Sequence, residues 1–209
     1  PSVTQYTIRP PAGVILSKIA ARDKELALNL ATESVRIEAP IPGTRLVGVE
    51  IPNVRKESVS LRSLLESDRW KKEQAALCFA VGKDISGNTI IANLAKMPHL
   101  LIAGTTGSGK SVMTNILISS LLYRNAPSDM KLIIVDPKQV EMAQYNDIPH
   151  LLTPIITATD KALSAMKWAV NEMERRYACL AEERVKKIED YNEKMKARAE
   201  EAKKNGEES

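Results

Sequence analysis

At 209 residues the chain is long enough for one or two domains, and a hydrophobic content of 44% is enough to build a core. The formal net charge of +4 is spread along the chain instead of gathering in an arm, so charge permits a nucleic-acid partner without arguing for one. Cys78 and Cys179 are far apart, and His99 and His150 are isolated, which excludes a clustered zinc site and suits a reducing compartment; no apolar run reaches the roughly 18 residues of a membrane span.

Residues 3–9 alternate as a strand, starting without any leader, so Pro1 reads as a position inside a longer protein. Residues 17–32 set Ile19, Leu26, Leu28 and Leu30 mostly at helical spacing, and residues 35–39 and 46–51 read as two strands joined by a turn at Pro42-Gly43. This small β-α-β-β unit has little apolar surface and should pack on something else. Residues 61–70 predict a short helix with Ser60 as its cap. The polar stretch 71–76 is the expected boundary between a domain at 1–76, strand-rich, with no catalytic group of its own and expected to act in assembly, and a second domain at 77–209. Residues 77–81 and 89–92 then predict a hairpin around DISGN.

The strongest signal follows. Residues 100–103 are apolar, as for a buried strand, and run into Gly104, Thr105, Thr106, Gly107, Ser108, Gly109, Lys110 and Ser111. This fills the pattern G-x-x-x-x-G-K-[ST]. After it, Val112, Ile116, Ile118, Leu121 and Leu122 fall on one broad helical face. A glycine-rich loop between strand and helix turns backbone N–H groups onto phosphate oxygens, and the helix N-terminus adds partial positive charge. Lys110, the expected catalytic residue, reaches the β- and γ-phosphates of ATP, and Ser111 offers its hydroxyl to Mg²⁺.

Residues 131–135 predict a further strand ending in Asp136, so that strand, helix and strand make a parallel βαβ unit. Asp136 is the obvious acid for Mg²⁺, but Pro137 and Lys138 follow it where a second carboxylate would be wanted. It is therefore expected to serve at most in the second shell around the metal. Residues 160–180 predict a long helix with Leu163, Met166, Val170, Met173, Tyr177 and Leu180 facing a core, continuing as a charged, solvated helix to Asn205.

Taken together, MPHLLIAGTTGSGKSV, LIIVDPK, IPHLLTPIITATDKA and EMERRY resemble the FtsK/SpoIIIE family of bacterial DNA translocases. Upstream, VTQYTIRPPAGV, SVRIEAPIPG, VGVEIPN, VSLRSLLES and VGKDISGN resemble that family's α domain and its junction with the motor. The resemblance spans residues 3–180 and weakens after Tyr177. It implies an α/β fold: a RecA-like P-loop NTPase with a parallel sheet, incomplete in this chain, behind the small β-α-β-β domain. It also implies a hexameric ring of copies around double-stranded DNA, driven by ATP, in chromosome segregation at division or sporulation. In the family the Walker B acid pair, the arginine that completes a neighbour's site, the DNA-reading winged-helix domain and the membrane-spanning N-terminus lie outside the segment matched here. The membrane is thus a partner only through another part of the protein, and this part belongs on the cytoplasmic side. By itself the chain is expected to be poorly soluble and not to turn ATP over.

Two rivals share the cradle: a small-molecule kinase, for which the adjacent Arg175-Arg176 would be the substrate arginines, and a secretion or conjugation pump resembling the type IV coupling proteins. A third reading is a non-hydrolysing nucleotide-binding module. Arg55-Lys56, Arg69, Lys71-Lys72 and Lys186-Lys187 are the candidate phosphate contacts to DNA, each equally readable as a solvated charge.

Overall fold

The computed structural model describes residues 2–55, 57–97 and 99–204. Contacts divide the chain into Pro1–Ala126 and Pro127–Ser209. The boundary expected at 71–76 falls inside the first of these.

In the first unit, the alternating N-terminal segment becomes strand β1 (Val3–Ile8). The single helix expected over 17–32 is instead two short ones, α1 (Leu16–Ala20) and α2 (Asp23–Asn29). The break lies at Ala21-Arg22; Arg22 O accepts from Leu26 N in the first turn of α2, and the Arg22 guanidinium pairs with Glu25 at 2.6 Å on the surface. Strands β2 (Arg36–Glu38) and β3 (Val47–Pro52) complete an antiparallel sheet ordered β1-β3-β2. Its register pairs Ile8 with Val47 and Ile37 with Val49, and Val47 is fully buried.

The helix expected over 61–70 is also two: α3 (Leu61–Leu65) and α4 (Asp68–Lys72). Ser60 caps α3 as expected, its hydroxyl accepting from Ser63 N. Ser67 ends that helix and begins the next. Its hydroxyl donates to Leu64 O at 2.6 Å and accepts from Trp70 N, so one side chain bonds both a carbonyl at the end of α3 and an N–H at the start of α4. The hairpin forms as expected from β4 (Cys78–Lys83) and β5 (Thr89–Asn93), with a bulge between Ala80 and Gly82. Asp84 closes its turn by accepting from Ser86 N and Asn88 N.

Leu64 and Trp70 from the helices, and Cys78 and Ala80 from β4, form the buried cluster of this unit. Ile116, from the helix that follows the glycine-rich loop, packs against it. That helix is α5 (Lys110–Arg124). Its buried residues are Ile118, Ser120 and Leu121, whereas Val112, expected on the apolar face, is exposed.

Residues 100–103 form no ladder, contrary to the strand expected there, because no described segment pairs with them. In the second unit, residues 131–135 make only two isolated parallel bridges, Leu132 to Leu151 and Val135 to Ile156. Backbone bonds flank the gap, from Leu152 N to Leu132 O and from Ile156 N to Ile134 O. Pro154 lies between them and has no N–H to continue the ladder. The ladders that do form are antiparallel, so the expected parallel sheet is represented here by these bridges alone.

Helix α6 (Thr159–Glu182) has the expected length but no buried residue. Leu163, Met166, Val170, Met173 and Tyr177 are between 47% and 64% exposed, so the stripe expected to face a core does not do so. The continuous extension to Asn205 is likewise replaced by a turn and a separate helix, α7 (Ile188–Lys204); Asn205 itself lies outside the described residues. Arg184 adopts a positive φ, and Val185 N donates back to Leu180 O. Glu183 then accepts from Lys194 and Arg198. In one straight helix those partners would stand roughly 16–22 Å away along the axis, out of reach.

Among the described residues no helix is long and apolar enough to cross a membrane.

Candidate functional site

The cradle is built from the start of α5 backwards. Gly109 is the residue before the helix and sits at φ 95°, in the left-handed region where an L side chain would be strained. Ser108 N donates to Thr105 O at 3.1 Å, tightening the loop, and Met113 N donates to Gly109 O at 2.8 Å, which starts the helix. Gly104 lies against the far side of this turn. A Cβ added there would fall on the Ser108 hydroxyl, so any other residue would force the Ser108 side chain to move. Lys110 folds back over the loop, its Nζ donating to Gly104 O at 2.6 Å.

Residues 104–110 are exposed, with Ser111 half-buried at the first turn of α5. The structure thus brings together all eight residues expected to hold phosphate: a ring of open backbone closed by glycine, one ammonium across it, and one hydroxyl beside it. These residues fit a nucleotide's phosphates. The cradle at the head of α5 is that of a P-loop NTPase.

Comparison with known families agrees. The FtsK/SpoIIIE family profile matches residues 60–205, and the FtsK alpha domain profile matches residues 1–53. The chain belongs to the FtsK/SpoIIIE family. It is 55% identical over 196 residues to a DNA translocase FtsK of Clostridium tetani, covering 94% of this chain and 26% of that relative. A DNA translocase FtsK of Haemophilus influenzae is 51% identical over 195 residues, 93% of this chain and 37% of the relative. One of Helicobacter pylori is 50% identical over 202 residues, 97% of this chain and 24% of the relative. The chain therefore spans well under half the length of these curated relatives.

Asp136 is engaged within its own turn. It is only 7% exposed. One carboxylate oxygen accepts from Lys138 N and Gln139 N, the other from Glu141 N and Met142 N, at 3.1–3.2 Å. Burial alone would raise its carboxyl, but the four N–H groups outweigh burial and hold it below the usual carboxylate value. Sequence reasoning missed this nest. The chain turns back at Gln139, which has a positive φ and donates to Asp136 O, and no residue pattern in the sequence marks that turn.

A group depressed in the folded state contributes stability that is complete above its unfolded value and lost as pH falls through the folded one. We predict that the amides of Lys138, Gln139, Glu141 and Met142 stay slow to exchange at about pH 4, near an ordinary aspartate's midpoint, and open only in stronger acid. Asp136→Asn should set an amide NH₂ against two of the four donors, speed exchange in this turn at neutral pH, and abolish the acid transition. Exchange measured by NMR across the acid range checks this. An unchanged turn in the Asn variant would contradict it.

The arginine pair that a kinase would need is also committed. Arg175 donates to Glu172 through Nε at 2.7 Å and Nη2 at 2.8 Å, and Arg176 through Nε at 2.8 Å. Arg175 first and Arg176 second hold the Glu172 carboxyl at about 2. Arg55, Arg69, Lys71, Lys72, Lys186 and Lys187 are exposed, and Lys56 lies outside the described residues. Among the described residues no group of three or more His, Cys, Asp or Glu side chains could hold a metal.

Proposed function

We propose that this chain is the α domain and the first part of the motor of a translocase that hydrolyses ATP to move along double-stranded DNA. The observation that carries the reading is the complete cradle at residues 104–111, set at the head of α5 in a chain of this family. Backbone N–H groups of this loop would bind the phosphates, Lys110 would neutralise their charge, and the Ser111 hydroxyl would be a ligand for Mg²⁺. ATP with Mg²⁺ supplies a phosphoanhydride whose terminal phosphoryl passes to water.

Asp136, with both oxygens filled by its own turn, serves as a second-shell group at most. The finer properties follow the family: a RecA-like parallel sheet, a hexameric ring, assembly through residues 1–76, and a membrane anchor in another part of the protein. The six exposed basic residues are candidates for salt-dependent contacts to DNA phosphates. The printed names of the relatives support a DNA partner. The engagement of Arg175 and Arg176 by Glu172 speaks against the kinase reading.

The test uses the full-length protein that carries this segment. Duplex DNA should stimulate its ATPase, and the stimulation should fade as salt rises. ATP hydrolysis indifferent to duplex DNA, or transfer of phosphate to a small molecule, would refute the proposal.

A further inference from the structure

The far end of the P-loop helix is as deliberately held as its head. At 15 residues, α5 is roughly 22 Å long. Its last turn and a half and the residue just after it carry three polar side chains, each bonded to the backbone of the segment running from α4 into β4. The Ser120 hydroxyl accepts from Ala80 N at 3.2 Å and donates to Ile116 O at 2.7 Å. Arg124 donates through Nη1 to Glu73 O at 2.6 Å and through Nη2 to Trp70 O at 3.1 Å. Its guanidinium also lies 4.3 Å from the centre of the Trp70 ring. Asn125, just past the helix, donates through Nδ2 to Ala76 O at 3.0 Å.

The strap is itself stiffened. Glu73 accepts from Gln74 N and Ala75 N, and Trp70 is buried in the central cluster. Every one of these bonds ends on backbone, which cannot turn away as a side chain could. The Ala80–Ser120 bond is buried and those from Arg124 and Asn125 are part-buried, so breaking them leaves polar groups with few replacement partners. A rigid helix with phosphate at one end and a clamped strap at the other cannot move at its head without moving the strap. The strap is continuous with α4, α3 and, through residues 53–60, with the N-terminal sheet.

From this geometry we infer that Arg124, with Ser120 and Asn125, is a positioning residue that couples the nucleotide state of the cradle to the strap at residues 70–80. The inference rests on the nucleotide-binding reading of residues 104–111. Arg124 touches no reacting atom in it. It sets where α5, and hence Lys110, stands relative to the strap.

Hydrogen exchange of the full-length protein, with and without a non-hydrolysable ATP analogue and Mg²⁺, tests it. In the wild type the analogue should slow exchange at residues 104–113 and also at residues 73–80, the latter by about fivefold or more, the lower end of ordinary coupling between sites. Arg124→Met keeps the aliphatic stem but removes both donors to the strap. It should keep the response at the cradle and lose it at the strap, and should lower kcat while KM for ATP stays within about twofold, since ground-state phosphate binding is untouched. A cradle that responds while the wild-type strap does not would overturn the inference and leave the nucleotide reading standing. A cradle that does not respond would overturn both. Because the first comparison needs only wild-type protein, a poorly folding variant does not shelter the idea. A variant that loses thermal stability but keeps both the strap response and kcat would make Arg124 a packing residue only.

Discussion

Lys110→Ala in the full-length protein is expected to reduce DNA-dependent ATPase by at least roughly 10²–10³-fold, the loss seen when one preorganised charge-stabilising donor is removed from a site of this kind. The side chain spans the cradle, with Nζ on Gly104 O, and it is the one ammonium placed across the ring. Its removal leaves the backbone donors in place. Nucleotide should therefore still bind, more weakly, while turnover collapses. Lys110 is exposed, and substitutions at exposed positions away from structural features usually change stability by less than about 0.5 kcal/mol. A thermal melt matching the wild type would show that the loss is chemical. ATPase within a few-fold of wild type, on folded protein, would remove the basis for assigning the cradle.

The second large effect is structural. Trp70→Ala should destabilise the unit that carries the P-loop helix by about 3–5 kcal/mol. Trp70 is 4% exposed and sits between Leu64, Cys78 and Ala80. Its ring also lies under the Arg124 guanidinium, a contact worth about 0.5–2 kcal/mol that alanine cannot replace. Domains of this size have only about 5–15 kcal/mol in all, so the variant should unfold at a much lower urea concentration, followed by circular dichroism. Trp70→Phe, which keeps an aromatic face for Arg124, should recover most of the loss. A shift below about 1 kcal/mol for the alanine variant would mean that the cluster around Trp70 is not the core of this unit.

These two residues show how differently sites and folds are written in a chain. The cradle was legible because its chemistry is local. Eight consecutive residues make the ring, and the positive φ at Gly109 and the close approach at Gly104 follow from having no side chain there. The hairpin and the Ser60 cap were legible for the same reason, since each rests on bonds between near neighbours.

The nest around Asp136 is local too, but four converging amides leave no compositional mark, and the acid was read as a candidate second-shell group for magnesium. The breaks at Ala21-Arg22 and Ser67 were missed because helical periodicity runs across them; at Ser67 a single side-chain hydroxyl serves both helix ends.

By itself, then, the sequence determined the glycine-rich loop at the head of α5, the hairpin before it, and the family, all of which depend on residues close together in the chain. Only the tertiary structure decided that Arg124 clamps a strap some fifty residues upstream, with hydrogen bonds across separations of 51 and 54 positions. It also decided that the apolar stripe of α6 lies exposed and that Glu183 folds α7 back through partners 11 and 15 positions away. Periodicity shows that a helix has an apolar or charged face. What that face meets depends on segments that periodicity cannot bring together.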